Sequence, residues 1–298
     1  AIRARFRETA LRSDSTALTL GKPYDTVNSE VLLKSSKNLL ELNRGEREAD
    51  NRDALPFKDL LGIEDLVADR YDRSKTTISR KIRNNLDRKD TVKGIVSTSI
   101  FSGPMLSFFR ESAIANQTPQ TNPVSMLSQY MGTTLLGADV GAIGSAFGIT
   151  DEAKATDKTQ LGFLDPVHTP EGDRAGVSLK LTTDTVRSNG EVRIPVYSMK
   201  DKALKLVTPL EMATAVVSFP DQYFKKKDGW VPVTKNVTAQ TPAELNTTVK
   251  ASEVDYVIPS STTMFTPMTN LIPFLQNDDG TRAEMAVRQM EQALPLKY

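Results

Sequence analysis

Apolar residues recur at helical spacing most clearly between Asp59 and about Arg88. Leu60, Ile63, Leu66, Val67, Tyr71, Ile78, Ile82 and Leu86 fall mostly at steps of three and four, which predicts one helix with a single apolar stripe. A second helix is predicted from Asn28, where Val31, Leu32, Leu39 and Leu40 share a near-helical period and Gly45 supplies a stop. Residues 1–26 are polar, basic at the front (Arg3, Arg5, Arg7, Arg12) and broken by Gly21 and Pro23, so they predict an irregular arm. GEREADNRDALPF then forms a charged connector.

The stretch 97–160 is rich in Gly, Ser, Thr, Asn and Gln. Its Gly137–Gly148 run predicts a flexible loop, because it has neither the GKS/GKT ending of a phosphate-cradling P-loop nor GxGxxG spacing. From about 178 to 262 the chain changes character. VRIPVYSM, KALKLV, GWVPV, NTTVKA and VDYVIP are short β-prone runs separated by turn signals such as Ser188-Asn189-Gly190. LEMATAVVSF predicts one short helix among them, and Trp230 is expected to pack in this β unit. The last segment, Leu271 to Leu296, predicts an apolar strand, a carboxylate pair at a turn, and a helix capped by Thr281 and Glu284.

Composition removes several classes of chemistry. The 298 residues are 39% hydrophobic and 25% charged, as in ordinary globular proteins. Lys+Arg 38 nearly balances Asp+Glu 37, so any nucleic-acid contact must come from local clustering. Such a cluster exists between Arg70 and Lys93, with nine Lys/Arg against three Asp. Arg80, Lys81, Arg83 and Arg88 in that run are candidates for phosphate-backbone contact; a solvated helix face is the other reading. Cysteine is absent, which excludes disulfides and thiolate metal sites, and a single histidine, His168, excludes a multi-histidine site. No apolar run is long enough to cross a membrane, and the start lacks the apolar core of a signal peptide.

Two segments carry candidate chemistry. In Asp278-Asp279-Gly280-Thr281-Arg282, the acids precede a helix start and Arg282 sits at its opening, beside free backbone N–H groups. Such a corner binds phosphate, and a guanidinium adds a bidentate fork. An ion pair between Arg282 and Asp278 or Asp279 is the alternative. In Asp165–Val177, Thr169-Pro170-Glu171-Gly172 is a turn with Glu171 at its apex, followed by Asp173 and Arg174; an ordinary surface turn is the alternative.

These segments, in this order, resemble the β subunit of multi-subunit DNA-dependent RNA polymerase. That family carries P-x-E-T-P-E-G-x-N-x-G-L, then V-D-Y, then S-L-I-P-F-L-x-x-D-D-x-x-R-A-x-M and M-Q-R-Q-A-V-P. This chain has Pro166 to Val177, Val254-Asp255-Tyr256, Leu271-Ile272-Pro273-Phe274-Leu275, Asp278 to Met285, and Met290-Glu291-Gln292-Ala293-Leu294-Pro295. Asn122-Pro123-Val124-Ser125 is similar to the family's N-P-L-S. The departures are specific: His168 stands in place of a family Glu, Arg174 in place of Asn, and Glu291 in place of Arg, with Arg288 three residues away. Gln129 to Gly132 replaces a basic H-K-R-R, which implies poor rifamycin binding.

The resemblance implies an α+β fold in which helices and irregular segments form a fork and a small β-rich unit is inserted. Its expected segments are a 1–58 arm and helix, a 59–177 fork region, a 178–262 β insert, and 263–298 returning to the active centre. By resemblance, Arg282, Glu171, Asp278, Asp279 and Arg288 lie near the nucleoside triphosphate, and Arg174, Arg80, Lys81, Arg83 and Arg88 near nucleic acid. No residue of this chain is expected to act directly in catalysis or to bind metal. The Mg2+ would be held by a β′-type partner, since no N-A-D-F-D-G-D occurs here. Expected partners are that subunit, other β fragments, DNA template, RNA transcript and nucleotides, with no membrane. A split β of this kind resembles giant-bacteriophage polymerases, which places the protein in the host cytoplasm or packaged in the virion. A phage structural or assembly protein and a standalone nucleic-acid-binding module are the rival readings.

Overall fold

The computed structural model describes residues 5–294 except 7, 113, 114, 116, 138–142, 189, 227 and 228. Arg3 and Arg7 of the expected arm, the centre of the Gly137–Gly148 loop, Asn189 and Pro295 therefore lie outside the described residues. The helices are α1 (Ser13–Leu20), α2 (Ser29–Asn43), α3 (Ile63–Leu86), α4 (Val92–Ile95), α5 (Thr98–Glu111), α6 (Pro123–Tyr130), α7 (Asp151–Lys154), α8 (Pro209–Thr214) and α9 (Gly280–Gln292). The strands are β1 (Gly132–Thr134), β2 (Leu164–Asp165), β3 (Ser178–Leu181), β4 (Val186–Ser188), β5 (Glu191–Ser198), β6 (Ala203–Val207), β7 (Val217–Ser218), β8 (Tyr223–Lys226), β9 (Gly229–Pro232), β10 (Asn236–Gln240), β11 (Thr247–Lys250) and β12 (Tyr256–Val257). The fold is α+β, and the chain divides into two compact units, each assembled from discontinuous segments.

One unit comprises Ala1–Asp59, Asp157–Phe163 and Asp184–Met264. Its sheet runs β11-β10-β7-β12-β5-β4, with β6 also on β5; β12 and β7 pair in parallel, the other pairs antiparallel. Strand alternation along β5 turns Val192, Ile194 and Val196 inward. Tyr197, Tyr223, Val237, Val254 and Val257 form a core, and Trp230 packs against it with its ring 6.1 Å from that of Tyr197. The predicted helix LEMATAVVSF is divided. Thr208 and Glu211 cap α8 reciprocally, and the chain then extends into β7.

The expected irregular arm contains a helix. Arg12, just before α1, pairs with Asp59 at 2.8 Å and donates to the Phe57 carbonyl at 3.0 Å, and Gly21 ends the helix at φ +75°. Tertiary anchoring, not periodicity, makes this helix. The Asn28 prediction is met: the Asn28 side chain accepts from the Val31 N–H at 2.8 Å and caps α2.

The second unit comprises Leu60–Thr156, Leu164–Thr183 and Phe265–Tyr298. Its sheet is β1-β3-β2, antiparallel throughout. The predicted long helix is α3, which packs against α5: Tyr71 donates to the Phe101 carbonyl at 2.9 Å and Arg70 pairs with Glu111 at 2.9 Å. Two helices, α5 and α6, lie in the stretch whose composition points to loop. Helix α9 packs on α6 through Met268, Ile272, Ala283 and Val287, with Val124 and Val167 against them.

Two local expectations fail here. LIPFL is no strand: short 3-10 turns at Thr269–Leu271 and Leu275–Asn277 bracket it, and Phe274 adopts φ +57°. Pro273 has no ladder donor to offer, and Thr266 and Thr269 are tied to Asp165 instead of a neighbouring strand. The Thr281–Glu284 capping box also does not form. Helix α9 starts at Gly280 with Asp279 at the N-cap, which places Thr281 inside the first turn.

Candidate functional site

Arg282 stands in the first turn of α9, exposed, with the sulfur of Met285 at 3.9 Å from its Nη1. Asp278 and Asp279 are exposed just before the helix, and the Asp279 N–H bonds Asp278 Oδ1 at 3.0 Å. The guanidinium is tied to neither acid, so this corner of α9 presents an available cation beside unbonded backbone N–H groups. Arg288 lies half-buried on the same helix.

The far end of α9 is fixed by Asn122. Its Oδ1 accepts from the Ser125 N–H at 2.8 Å and caps α6. Its Nδ2 donates to the carbonyls of Met290, Glu291 and Ala293, the last at 2.6 Å. One side chain thus closes the N-terminus of one helix and the C-terminus of the other. This double role gives the Asn-Pro-x-Ser motif a physical reason.

The TPEG turn is held from below. Thr169 Oγ1 donates to the Ser178 carbonyl at 3.0 Å and accepts from the Gly176 N–H at 2.9 Å. Gly176, at φ +71°, lies so close to the Lys154 carbonyl that a Cβ would sit 2.1 Å from its oxygen; no other residue fits. Glu171, Asp173 and Arg174 are all exposed at the tip.

Beneath the turn His168 is buried, 4% exposed. Its Nε2 lies 2.8 Å from Glu291 Oε1, and its Nδ1 lies 3.0 Å from Thr266 Oγ1. Burial pushes the Glu291 carboxyl upward, but hydrogen bonds from His168 and Ser128 and the charges of His168 and Lys180 outweigh it, so its pKa falls below the usual value. Burial lowers the half-buried Lys180 ammonium below its ordinary range.

The structure therefore joins the TPEG segment, the Asn122 helix and α9 in one unit. Arg80, Lys81, Arg83 and Arg88 lie exposed on and just beyond α3 of that unit. Sequence patterns did not single out Asp165, Thr266 and Thr269, although Asp165 before Pro166 and the Thr-x-x-Thr spacing are readable turn signals. Among the described residues no group of three or more His, Asp or Glu stands close enough to hold a metal ion.

A family model described as RNA polymerase Rpb2, domain 3, matches residues 117–186, which hold α6 and the whole TPEG turn. The DNA-directed RNA polymerase subunit beta of Oltmannsiellopsis viridis is 25% identical over 288 residues, covering 94% of this chain and 20% of that protein. The chain is similar to part of the β subunit of DNA-directed RNA polymerase. The subunit of Mesostigma viride is 28% identical over 271 residues, 86% of this chain and 24% of its own length. The subunit beta N-terminal section of Stigeoclonium helveticum is 25% identical over 293 residues, 94% of this chain and 41% of its own. The chain thus spans between a fifth and two fifths of these β relatives. No described helix is long and apolar enough to cross a membrane.

Proposed function

We propose that this chain serves as part of β in a multi-subunit DNA-directed RNA polymerase, shaping the nucleotide side of the active centre and the fork of the melted DNA. The observation that carries this reading is the available Arg282 guanidinium at the opening of α9, in the same unit as the TPEG turn. Arg282 binds the triphosphate of the incoming nucleotide, with Glu171, Asp278, Asp279 and Arg288 shaping its surroundings. Arg174 at the turn and Arg80, Lys81, Arg83 and Arg88 on and beside α3 face nucleic acid. Its contribution to nucleotidyl transfer is positioning and electrostatic stabilisation of the phosphates. A β′-type partner holds the Mg2+, and no step is routed through metal on this chain. Residues 59–177 and 263–298 supply the fork, with 1–58 as arm and 178–262 as insert. The divided, phage-type β belongs to the same proposal, with action in the host cytoplasm.

The test is Arg282→Ala in the assembled polymerase. The apparent nucleotide KM rises, or kcat falls, roughly 10-fold, equivalent to about 1.4 kcal/mol. Steady-state kinetics indistinguishable from the parent enzyme would remove this role. Copurification decides the partner: a subunit bearing the N-A-D-F-D-G-D motif supports the proposal, and its absence opposes it.

A further inference from the structure

Hydrogen-bond bookkeeping around His168 leaves two arrangements of its ring hydrogens. Asp165 is fully buried, and its carboxylate accepts four hydrogen bonds: Val167 N–H at 2.9 Å, His168 N–H at 3.2 Å, Thr266 N–H at 2.7 Å and the Thr269 hydroxyl at 2.6 Å. A carboxylate has no hydrogen to give, so the Thr269 hydroxyl hydrogen points at it. The Thr266 hydroxyl, which accepts from the Thr269 N–H at 3.3 Å, has one hydrogen for two neighbours, Thr269 Oγ1 at 3.1 Å and His168 Nδ1 at 3.0 Å. On the other side Nε2 faces the Glu291 carboxylate at 2.8 Å and must donate. Given to Thr269, the Thr266 hydrogen makes Nδ1 a donor and the ring an imidazolium; given to Nδ1, it leaves the ring neutral with its hydrogen on Nε2. The two acids flanking the ring favour the first arrangement, with hydrogen on both ring nitrogens.

The ring lies between two acids, Glu291 directly and Asp165 through the two threonines. Ser128 Oγ lies 3.2 Å from Nε2. Lys180 is the register partner of Asp165 across β2 and β3, and its charge acts on Glu291. The cluster thus balances two acids with two bases. His168 and Glu291 also occupy the two positions where the family motifs carry Glu and Arg.

We propose that His168 is a fixed buried imidazolium that acts as a positioning residue, locking the TPEG turn and the Thr266–Thr269 turn to the helix that carries Arg282. The positioning role rests on the nucleotide-site reading above. Together with Asn122, the pair anchors the C-terminal end of α9, so the helix meets the substrate in one orientation.

The single histidine makes the charge directly readable. In the full chain labelled with 15N-histidine, long-range 1H–15N correlation at neutral pH is expected to show two protonated ring nitrogens; one bare nitrogen overturns the assignment. In the assembled polymerase, Glu291→Gln strands a buried cation and raises the nucleotide KM several-fold. The double variant His168→Gln with Glu291→Gln removes both charges and recovers part of that loss. A raised KM in Arg282→Ala but an unchanged KM in Glu291→Gln overturns the positioning role. If neither variant changes KM or kcat, the nucleotide-site reading fails and takes the positioning role with it, while the spectrum still decides the charge.

Discussion

The sheet around β5 and the α3–α5 helix pair use apolar residues in opposite ways. In the sheet, Ile194, Val196 and Val207 are fully buried, and strand ladders close on both sides of β5. In α3, 24 residues long, not one residue is buried, and its partner α5 leaves Leu106 and Phe109 each 51% exposed. The middle of the sheet closes a core, while its β6 edge leaves Leu204 and Leu206 exposed. The helix pair carries apolar surface of the kind that contacts further protein, beside a basic face suited to phosphate. The difference teaches that hydrophobic period alone reports a helix, and only tertiary contact reports whether its stripe is covered.

The largest effect expected from this contrast is at Ile194. Ile194→Ala should destabilise the chain by about 3 kcal/mol in urea unfolding followed by the single Trp230. Phe109→Ala should cost under about 0.5 kcal/mol in the same assay, since surface substitutions lie in that range. Equal costs would erase the distinction between the two regions.

Next is Asn122→Ala, which strips a cap from α6 and leaves three α9 carbonyls without their donor. A loss of about 2 kcal/mol is expected by thermal unfolding. No measurable change would mean that the α6–α9 junction holds without it.

Acid acts through Glu291. Its pKa is lowered by folding, so its contribution is present above the ordinary carboxylate value of 4.5 and is lost as pH falls through the lower folded value. The stability gap between the parent chain and Glu291→Gln should therefore shrink below about pH 4.5. A gap independent of pH would refute the charged carboxylate.

The smallest effect concerns the basic face. Changing Arg80, Lys81, Arg83 and Arg88 together to Gln should leave chain stability nearly intact. The slope of log affinity for DNA against log salt should flatten by roughly one for each phosphate that is no longer neutralised. An unchanged slope would assign the face to solvent.

Much of the architecture follows from local pattern. The β-prone runs between 178 and 262 became strands because short alternating segments between turns have few other ways to satisfy their backbones. The stripe from Leu60 to Leu86 became α3, and Asn28 capped α2, because period and cap chemistry act within a few residues. Helices α5 and α6 escaped notice: Gly103 and Pro104 interrupt one and Pro123 opens the other, so their composition points to loop. The LIPFL segment misled in the opposite direction, since its apolar run says nothing of the Asp165 side chain that holds the residues before it in a turn.

By itself the sequence determined the helical periods, the β-rich segment, the motif order and the place of Arg282 at a helix start. Tertiary structure alone decided that His168 meets Glu291 across 123 positions and that Asn122 closes a helix 168 positions away. Local propensity acts over a few residues, whereas the charge of a buried ring is fixed by every donor and acceptor the fold brings around it.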